Sequence, residues 1–251
     1  MKIAFACGQR GLYVSIAEYL AGQFPGIDWY LIQEDTTSLP VLIKHLKNRV
    51  RRYGFVRAAD MILLQFYSMF LSEPKSELAG VDVTFKEQLV VPNINDPSCK
   101  ALLETNQIDL LIAMSVGIMK PGIFQAPRSG AINVHPGINP RYRGAGGSFW
   151  AIYENRFDMV GVTIHSVEKK VDAGQIYFQA TLPKMKGSIE ETLHAVFELG
   201  AQGLVEVIKT FSETKQFHVA TPKFSNTADK VYGYYGLTDY LRARRNLARR
   251  G

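Results

Sequence analysis

The chain has 251 residues, 47% hydrophobic and 21% charged, with 21 glycines and 11 prolines, a composition that excludes disorder, collagen and low-complexity fibres. Cys7 and Cys99 are too few for a disulfide framework, and no CxxC or Cys/His cluster offers zinc a site, so a cytoplasmic protein without a metal is expected. The net charge of +6 is concentrated in two places: Lys44, Lys47, Arg49, Arg51, Arg52 and Arg57 form one acid-free run, and Arg242, Arg244, Arg245, Arg249 and Arg250 form another. The rest of the chain carries 18 bases against 23 acids, so an anionic partner should meet those two segments unless both are solvated helix faces.

The opening MKIAFAC reads as a first strand rather than a signal peptide. It ends in the turn Gly8-Gln-Arg-Gly11, a helical pattern runs to about Phe24, and residues 29–33 offer a second strand. This βαβ opening predicts an α/β fold with a doubly wound, mostly parallel sheet. The turn is GxxG, not GxGxxG, and only Glu34 or Asp35 could close the second strand on a ribose, so a dinucleotide site has no advantage over a plain glycine turn. Residues 39–71 are basic, helix-compatible and longer than an ordinary α/β connection, which marks an insertion. The apolar run 61–71 is interrupted by Gln65 and Ser68 and falls short of the ~20 residues of a membrane span.

Strands are expected at 88–91, 108–113 and 131–135, with a helix over 97–105. The last of these strands enters the loop HPGINPRYRGAGG and then a helix near 148–153. Residues 161–167 and 175–179 form a hairpin-like pair, and the capping box Ser188 to Glu191 opens a long amphipathic helix with Leu193, Val196, Phe197, Leu204, Val207, Ile208 and Phe211 on one face. The expected division is one α/β body over 1–211 and a short C-terminal extension over 212–251.

Two segments carry chemistry. Asn133 and His135 are two apart at the carboxyl end of a strand, so both side chains point to one face, where α/β folds place ligands. An amide and an imidazole there can hold a developing oxyanion, and the imidazole can move a proton. Asp172, in Val171-Asp-Ala-Gly174, is a candidate orienting partner. Each also has an ordinary reading as a satisfied structural pair or a turn residue, and the same holds for His165, which alternates with Thr163.

The run INVHPGINPRYRG resembles the signature of the folate-dependent formyltransferases, a family that includes glycinamide ribonucleotide, methionyl-tRNA and nucleotide-sugar N-formyltransferases. GVTIHSVEKKVDAGQI resembles the same family's second signature at the expected distance, and the likeness covers roughly residues 85–210. It implies a Rossmann-like formyltransferase fold, N10-formyltetrahydrofolate as co-substrate and a primary amine as acceptor, with Asn133, His135 and Asp172 in the catalytic positions. It further implies pteridine contacts along Gly117, Ile118, Met119 and Lys120, and folate contacts at Lys170 and Val171. Gly8, Arg10, Gly11, Tyr142 and Arg143 are the candidates for acceptor binding. One departure stands out: family members usually carry Ser-Leu-Leu-Pro after the histidine and one further residue, whereas here Gly137 and Asn139 replace the Ser and the second Leu.

A nucleotide-linked amino sugar is the expected acceptor, because no C-terminal domain of the tRNA-modifying type is seen and the first half carries the insertion. Glycinamide ribonucleotide and tRNA are the alternatives; the Gly8–Leu12 loop departs from the Gly-Ser-Asn loop of the former. A silent folate-binding relative is a further alternative, disfavoured by the retained triad. Nucleic acid is not expected as a partner, a homodimer is compatible with the sequence, and charge with apolar content alone raises a membrane-surface role for the basic insertion. Deleting the tail from Arg242 onward is expected to leave turnover of a small acceptor unchanged.

Overall fold

The computed structural model describes residues 1–9, 11–35, 38–71, 74, 76, 78, 83–222, 224 and 229–250. Strand β1 (Lys2–Gly8) and helix α1 (Gly11–Gln23) lead into β2 (Asp28–Glu34). Two helices follow, α2 (Leu39–Tyr53) and α3 (Phe55–Ser68), then β3 (Glu87–Val91), α4 (Pro97–Thr105), β4 (Leu110–Met114), the short α5 (Pro121–Phe124) and β5 (Ala131–His135). The chain continues through β6 (Arg143–Gly144), α6 (Gly147–Tyr153), β7 (Gly161–Ser166), β8 (Ile176–Thr181), the 26-residue α7 (Ile189–Thr214), β9 (Val231–Tyr232) and α8 (Leu237–Ala248).

Seven strands form one sheet in the order β3-β2-β1-β4-β5-β7-β8. The first five are parallel and the last two antiparallel. The order reverses beside β1 and β4, and the loops that leave these two strands open at the carboxyl ends, the place where such sheets bind ligands. Ile3, Phe5, Ile112, Val134 and Ile164 point to one face and form the larger core with α1 and α7. Ala4, Ala6, Ile32 and Leu111 point to the other, under Leu102 and Leu103 of α4 and Ile123 and Phe124 of α5. α7 begins at the expected capping box, with Ser188 accepting from the Glu191 backbone and the Glu191 side chain accepting from the Ser188 backbone.

The insertion is a hairpin of two helices rather than one long helix. Gly54, at φ +78°, takes a left-handed conformation that costs glycine nothing, ends α2 and reverses the chain into α3. The segment beyond residue 212 is also built into the body: Tyr232, Tyr240, Ala243 and Leu247 belong to the larger core. Asn246 Nδ2 donates to the Tyr153 carbonyl at 2.9 Å. Removing the chain from Arg242 would therefore strip buried Ala243 and Leu247 from α6 and α3, and turnover would fall through unfolding whatever the acceptor. Neutralising the exposed Arg245 and Arg249 in place changes charge without removing a buried side chain.

Candidate active site

Antiparallel pairing of β5 with β7 sets Asn133 opposite His165 and His135 opposite Thr163. Val134 and Ile164 point into the larger core, so these four polar side chains share the other face. The smaller core reaches β5 only at Ala131, and what closes over the polar patch is loop, not helix. Residues 136–147 fold down from the carboxyl end, and residues 167–175 bring Asp172 across from the end of β7. Asp172 sits at φ +46°, a conformation Asp and Asn tolerate better than most residues.

The four groups meet. Asp172 Oδ2 lies 3.5 Å from His135 Nδ1, Asp172 Oδ1 lies 3.5 Å from His165 Nε2, and the Asn133 amide nitrogen lies 3.5 Å from Asp172 Oδ1 and 3.4 Å from His165 Nε2. Gly144 N–H donates to Asp172 Oδ2 at 2.8 Å. The Tyr142 carbonyl, 2.6 Å from His135 Nε2, can only accept, so Nε2 carries a proton and Nδ1 faces the carboxylate. The Ser166 carbonyl lies 2.8 Å from His165 Nδ1, so the ring is held by its own strand while Nε2 faces Asp172 and Asn133.

Burial alone would raise the Asp172 carboxyl, but His135, His165 and the Gly144 N–H outweigh it and hold Asp172 well below the usual carboxylate range. Burial pushes the His135 imidazole down, against the pull of Asp172 and the Tyr142 carbonyl. Asp172 is thus an ionised carboxylate at neutral pH, and burial favours the neutral form of His135. Both rings are almost fully enclosed, and Asn133 and Asp172 are the members of the cluster that solvent still reaches in part.

The loop after β4 is pinned from below. Glu34 accepts from Gly117 N–H at 2.6 Å and Ile94 N–H at 3.0 Å, so this carboxylate is spent on the loop and does not wait for a ribose. Asn95 holds the Ile118 carbonyl and the Lys120 N–H. Ile118 is exposed, and Met119 packs on the smaller core. Gly8 lies beside the Ser115 carbonyl and Gly11 opens α1 with free space around it; Arg10 lies outside the described residues. Tyr142 and Arg143, expected at the acceptor, are buried. The Tyr142 ring stacks on Tyr232 and its hydroxyl donates to Glu154. The Arg143 guanidinium donates to the Val171 carbonyl and pairs with Asp229. Both side chains are engaged with the protein itself, and Arg143 is tied to the loop that carries Asp172.

A cavity of about 690 Å³ opens two residues from Asn133 and from His165 along their strands, walled by Phe124, Ala131, Val167 and Tyr177 with Lys169 and Lys170 at its rim. Its size is that of an ordinary small-molecule site. Arg128 and Glu168 line it as well, so charges of both signs surround it, and none of Asn133, His135, His165 or Asp172 lies in its wall. Lys170 lines it; Gly117–Lys120 and Val171 do not. No group of three or more His, Cys, Asp or Glu suited to hold a metal ion is present among the described residues.

The two departures in the loop have a geometric basis. A Cβ on Gly137 would lie 2.5 Å from both His135 Nε2 and the Tyr142 carbonyl. Asn139 N–H donates to Thr163 Oγ1 at 3.2 Å, and its side-chain amide donates to the Asp172 carbonyl at 2.9 Å. Gly137→Ala should therefore push the His135 and Tyr142 contact apart, destabilising the chain by about 1–3 kcal/mol and lowering turnover; a denaturant melt unchanged from the parent would contradict this packing. His165 was legible in the sequence only as an isolated polar residue, and its place in the cluster follows from the β5 to β7 register.

The formyl transferase family model matches residues 80–208. A curated methionyl-tRNA formyltransferase from Synechococcus sp. (strain JA-3-3Ab) is 35% identical over 115 residues, 45% of this chain and 35% of that protein; the chain thus spans about a third of the length of this relative. A solved sugar N-formyltransferase from Shewanella sp. FDAARGOS_354 superposes with TM-score 0.58 and 15% identity over 97% of this chain and 87% of the other. The formyltransferase PseJ from Anoxybacillus kamchatkensis, solved with a UDP-linked formamido sugar and tetrahydrofolate, gives TM-score 0.50 and 14% identity over 92% and 85% of the two chains.

Proposed function

The chain belongs to the formyl transferase family, and on that premise we propose that it moves a formyl group from N10-formyltetrahydrofolate to a primary amine, the amino group of a nucleotide-linked amino sugar. The observation that carries the reading is the cluster of Asn133, His135, His165 and an ionised Asp172 toward the carboxyl end of β5. Bound beside this cluster, N10-formyltetrahydrofolate would supply the formyl group.

The chain's own groups then handle charge and proton. Asn133, at the open edge, donates to a carbonyl oxygen as negative charge builds on it, a contribution of roughly 10²–10³ in rate for one such donor. Asp172 faces the incoming amine and takes up its proton. His135 Nδ1, 3.5 Å behind the carboxylate, can hold that proton as an imidazolium next to the carboxylate that stabilises it, and the proton returns to N10 as the bond from the formyl carbon to N10 breaks and tetrahydrofolate leaves. Asn133→Ala should accordingly lower kcat by two to three orders of magnitude with a smaller change in folate affinity; a pure binding defect would contradict the donor role.

The amino-sugar acceptor is our reading of a likeness in fold to a sugar N-formyltransferase over 97% of the chain. The test is to incubate the protein and N10-formyltetrahydrofolate with UDP- and dTDP-linked amino sugars, glycinamide ribonucleotide and charged initiator tRNA, and to follow gain of one formyl group by mass spectrometry. A sugar product with shallow salt dependence is expected. Formylated tRNA with affinity falling steeply in salt would overturn the acceptor, and absence of transfer to every amine would overturn the activity.

A further inference from the structure

The α2 to α3 hairpin takes no part in the cluster, and its inner side is fixed to the body. Ala58 and Met61 are buried, the Tyr67 and Tyr240 rings are 5.5 Å apart, and Asp60 accepts from the Thr238 backbone and hydroxyl at 3.0 and 2.8 Å. α3 thus packs against α8, and Arg244 reaches the Tyr67 hydroxyl at 2.7 Å. The two basic segments, distant in sequence, are carried by elements of one helical layer.

The outer side is apolar and unpartnered. Phe55 and Phe66 on α3 and Phe70 just beyond it are 78%, 61% and 88% exposed, and their spacing puts them on one stripe. Leu42, Ile43, Leu46 and Val50 make a second stripe on α2, each also exposed. Large apolar side chains left in water in such numbers mark an interaction surface. Around the rest of its circumference α2 carries Lys44, Lys47, Arg49, Arg51 and Arg52 and no acid. Among the described residues the hairpin's cation that finds carboxylates is Arg57, bound to Asp60 and Asp239; the five on α2 have none.

We infer that this hairpin docks the protein on an anionic lipid bilayer, with the apolar stripes of α2 and α3 in the headgroup boundary and the α2 cations against the lipid phosphates. A second copy fits poorly, because a two-fold axis through the hairpin would press five uncompensated cations against five more. RNA would meet the cations and leave Leu46, Phe66 and Phe70 in water. An anionic leaflet satisfies both features at once, in the manner of amphipathic interfacial helices with a Lys/Arg-rich polar face.

The test is co-sedimentation of the full chain with vesicles of phosphatidylcholine alone or with one-third phosphatidylglycerol. Binding is expected only to the anionic vesicles, and neutralising Lys44, Lys47, Arg51 and Arg52 to Gln should weaken it roughly fivefold per residue. The pair Phe66→Ser and Phe70→Ser, at positions outside the core, should weaken it at least tenfold with an unchanged thermal melt. Equal binding to neutral vesicles, or anionic binding indifferent to the Phe pair, would overturn the proposal. So would a dimer in light scattering that the Phe pair dissociates, which would assign the surface to a second copy, or RNA binding without vesicle binding, which would assign it to nucleic acid.

Discussion

Asp172→Asn should cost formyl transfer roughly 10³-fold or more while the chain still folds. Asparagine is the informative replacement, because it accepts the left-handed φ of +46° as aspartate does, keeps an oxygen for the Gly144 N–H, and removes the charge together with the acceptor that faces the Asn133 amide. Alanine would add backbone strain and confuse the two effects. The loss should fall on kcat, since the carboxylate is asked to take a proton and stabilise an imidazolium rather than to bind. Retention of near-parental turnover by this variant would remove Asp172 from the mechanism.

The pH behaviour of the same site has a definite sign. His135 is pushed below the ordinary imidazole value by burial, so on lowering the pH the unfolded chain takes its proton near pH 6.5 while the folded chain does not. The unfolded state then binds more protons, and stability falls as the pH drops below about 6.5. Asp172 is held below the usual carboxylate range, so its contribution is present above about pH 4 and is lost as the pH falls through its own lower value. Removing the Asp172 charge also removes the main group pulling His135 upward, and the loss of Tm between pH 6.5 and 5 should be steeper in the Asn variant. Parallel Tm profiles for the two proteins would show that the pair is not coupled.

How much of this was legible in the sequence depends on the range of the forces involved. β5 and α4 were expected at 131–135 and 97–105 and occur there, since apolar run length and the Asp96-Pro97 helix start are local signals. The hairpin was read as one helical stretch, because a single glycine within a helical pattern does not announce that it will adopt positive φ. Tyr142 and Arg143 looked like ligand contacts because polar residues in a Pro/Gly loop commonly are. Their burial comes from β9, which pairs Val231 with Arg143 and Tyr232 with Gly144, a contact no local pattern encodes. His165 required the β5 to β7 register for the same reason.

That distant contact leads to the second large effect. Arg143→Met should destabilise the chain by about 2–4 kcal/mol, the range for losing charge-assisted bonds to a buried carbonyl, and should lower kcat roughly 10²-fold, the effect of displacing a catalytic group by about an ångström. The guanidinium donates to the Val171 carbonyl at 2.8 Å through Nε and again through its terminal nitrogen, and Val171 immediately precedes Asp172. Asp229 holds the same guanidinium from the C-terminal segment and also pairs with Lys170 at 3.2 Å. A neighbouring hub repeats the arrangement: burial would raise the Glu154 carboxyl, but hydrogen bonds from Tyr232, Lys230, Arg141 and Tyr142 bring it down to about 2. The C-terminal strand is therefore held to the loop on both sides of Tyr142, and the Asp172 loop hangs from it through Arg143. Lysine should not restore the function, since it cannot make the forked contact to one carbonyl and one carboxylate. Asp229→Asn, which keeps a neutral acceptor at a half-exposed position, should be the mildest of the three. A positioning role requires that Arg143→Met lower kcat with KM for the donor nearly kept and with an altered acid limb of the pH profile. A rise in KM for the acceptor at constant kcat would instead make Arg143 a substrate ligand and would mean that the loop opens to expose it.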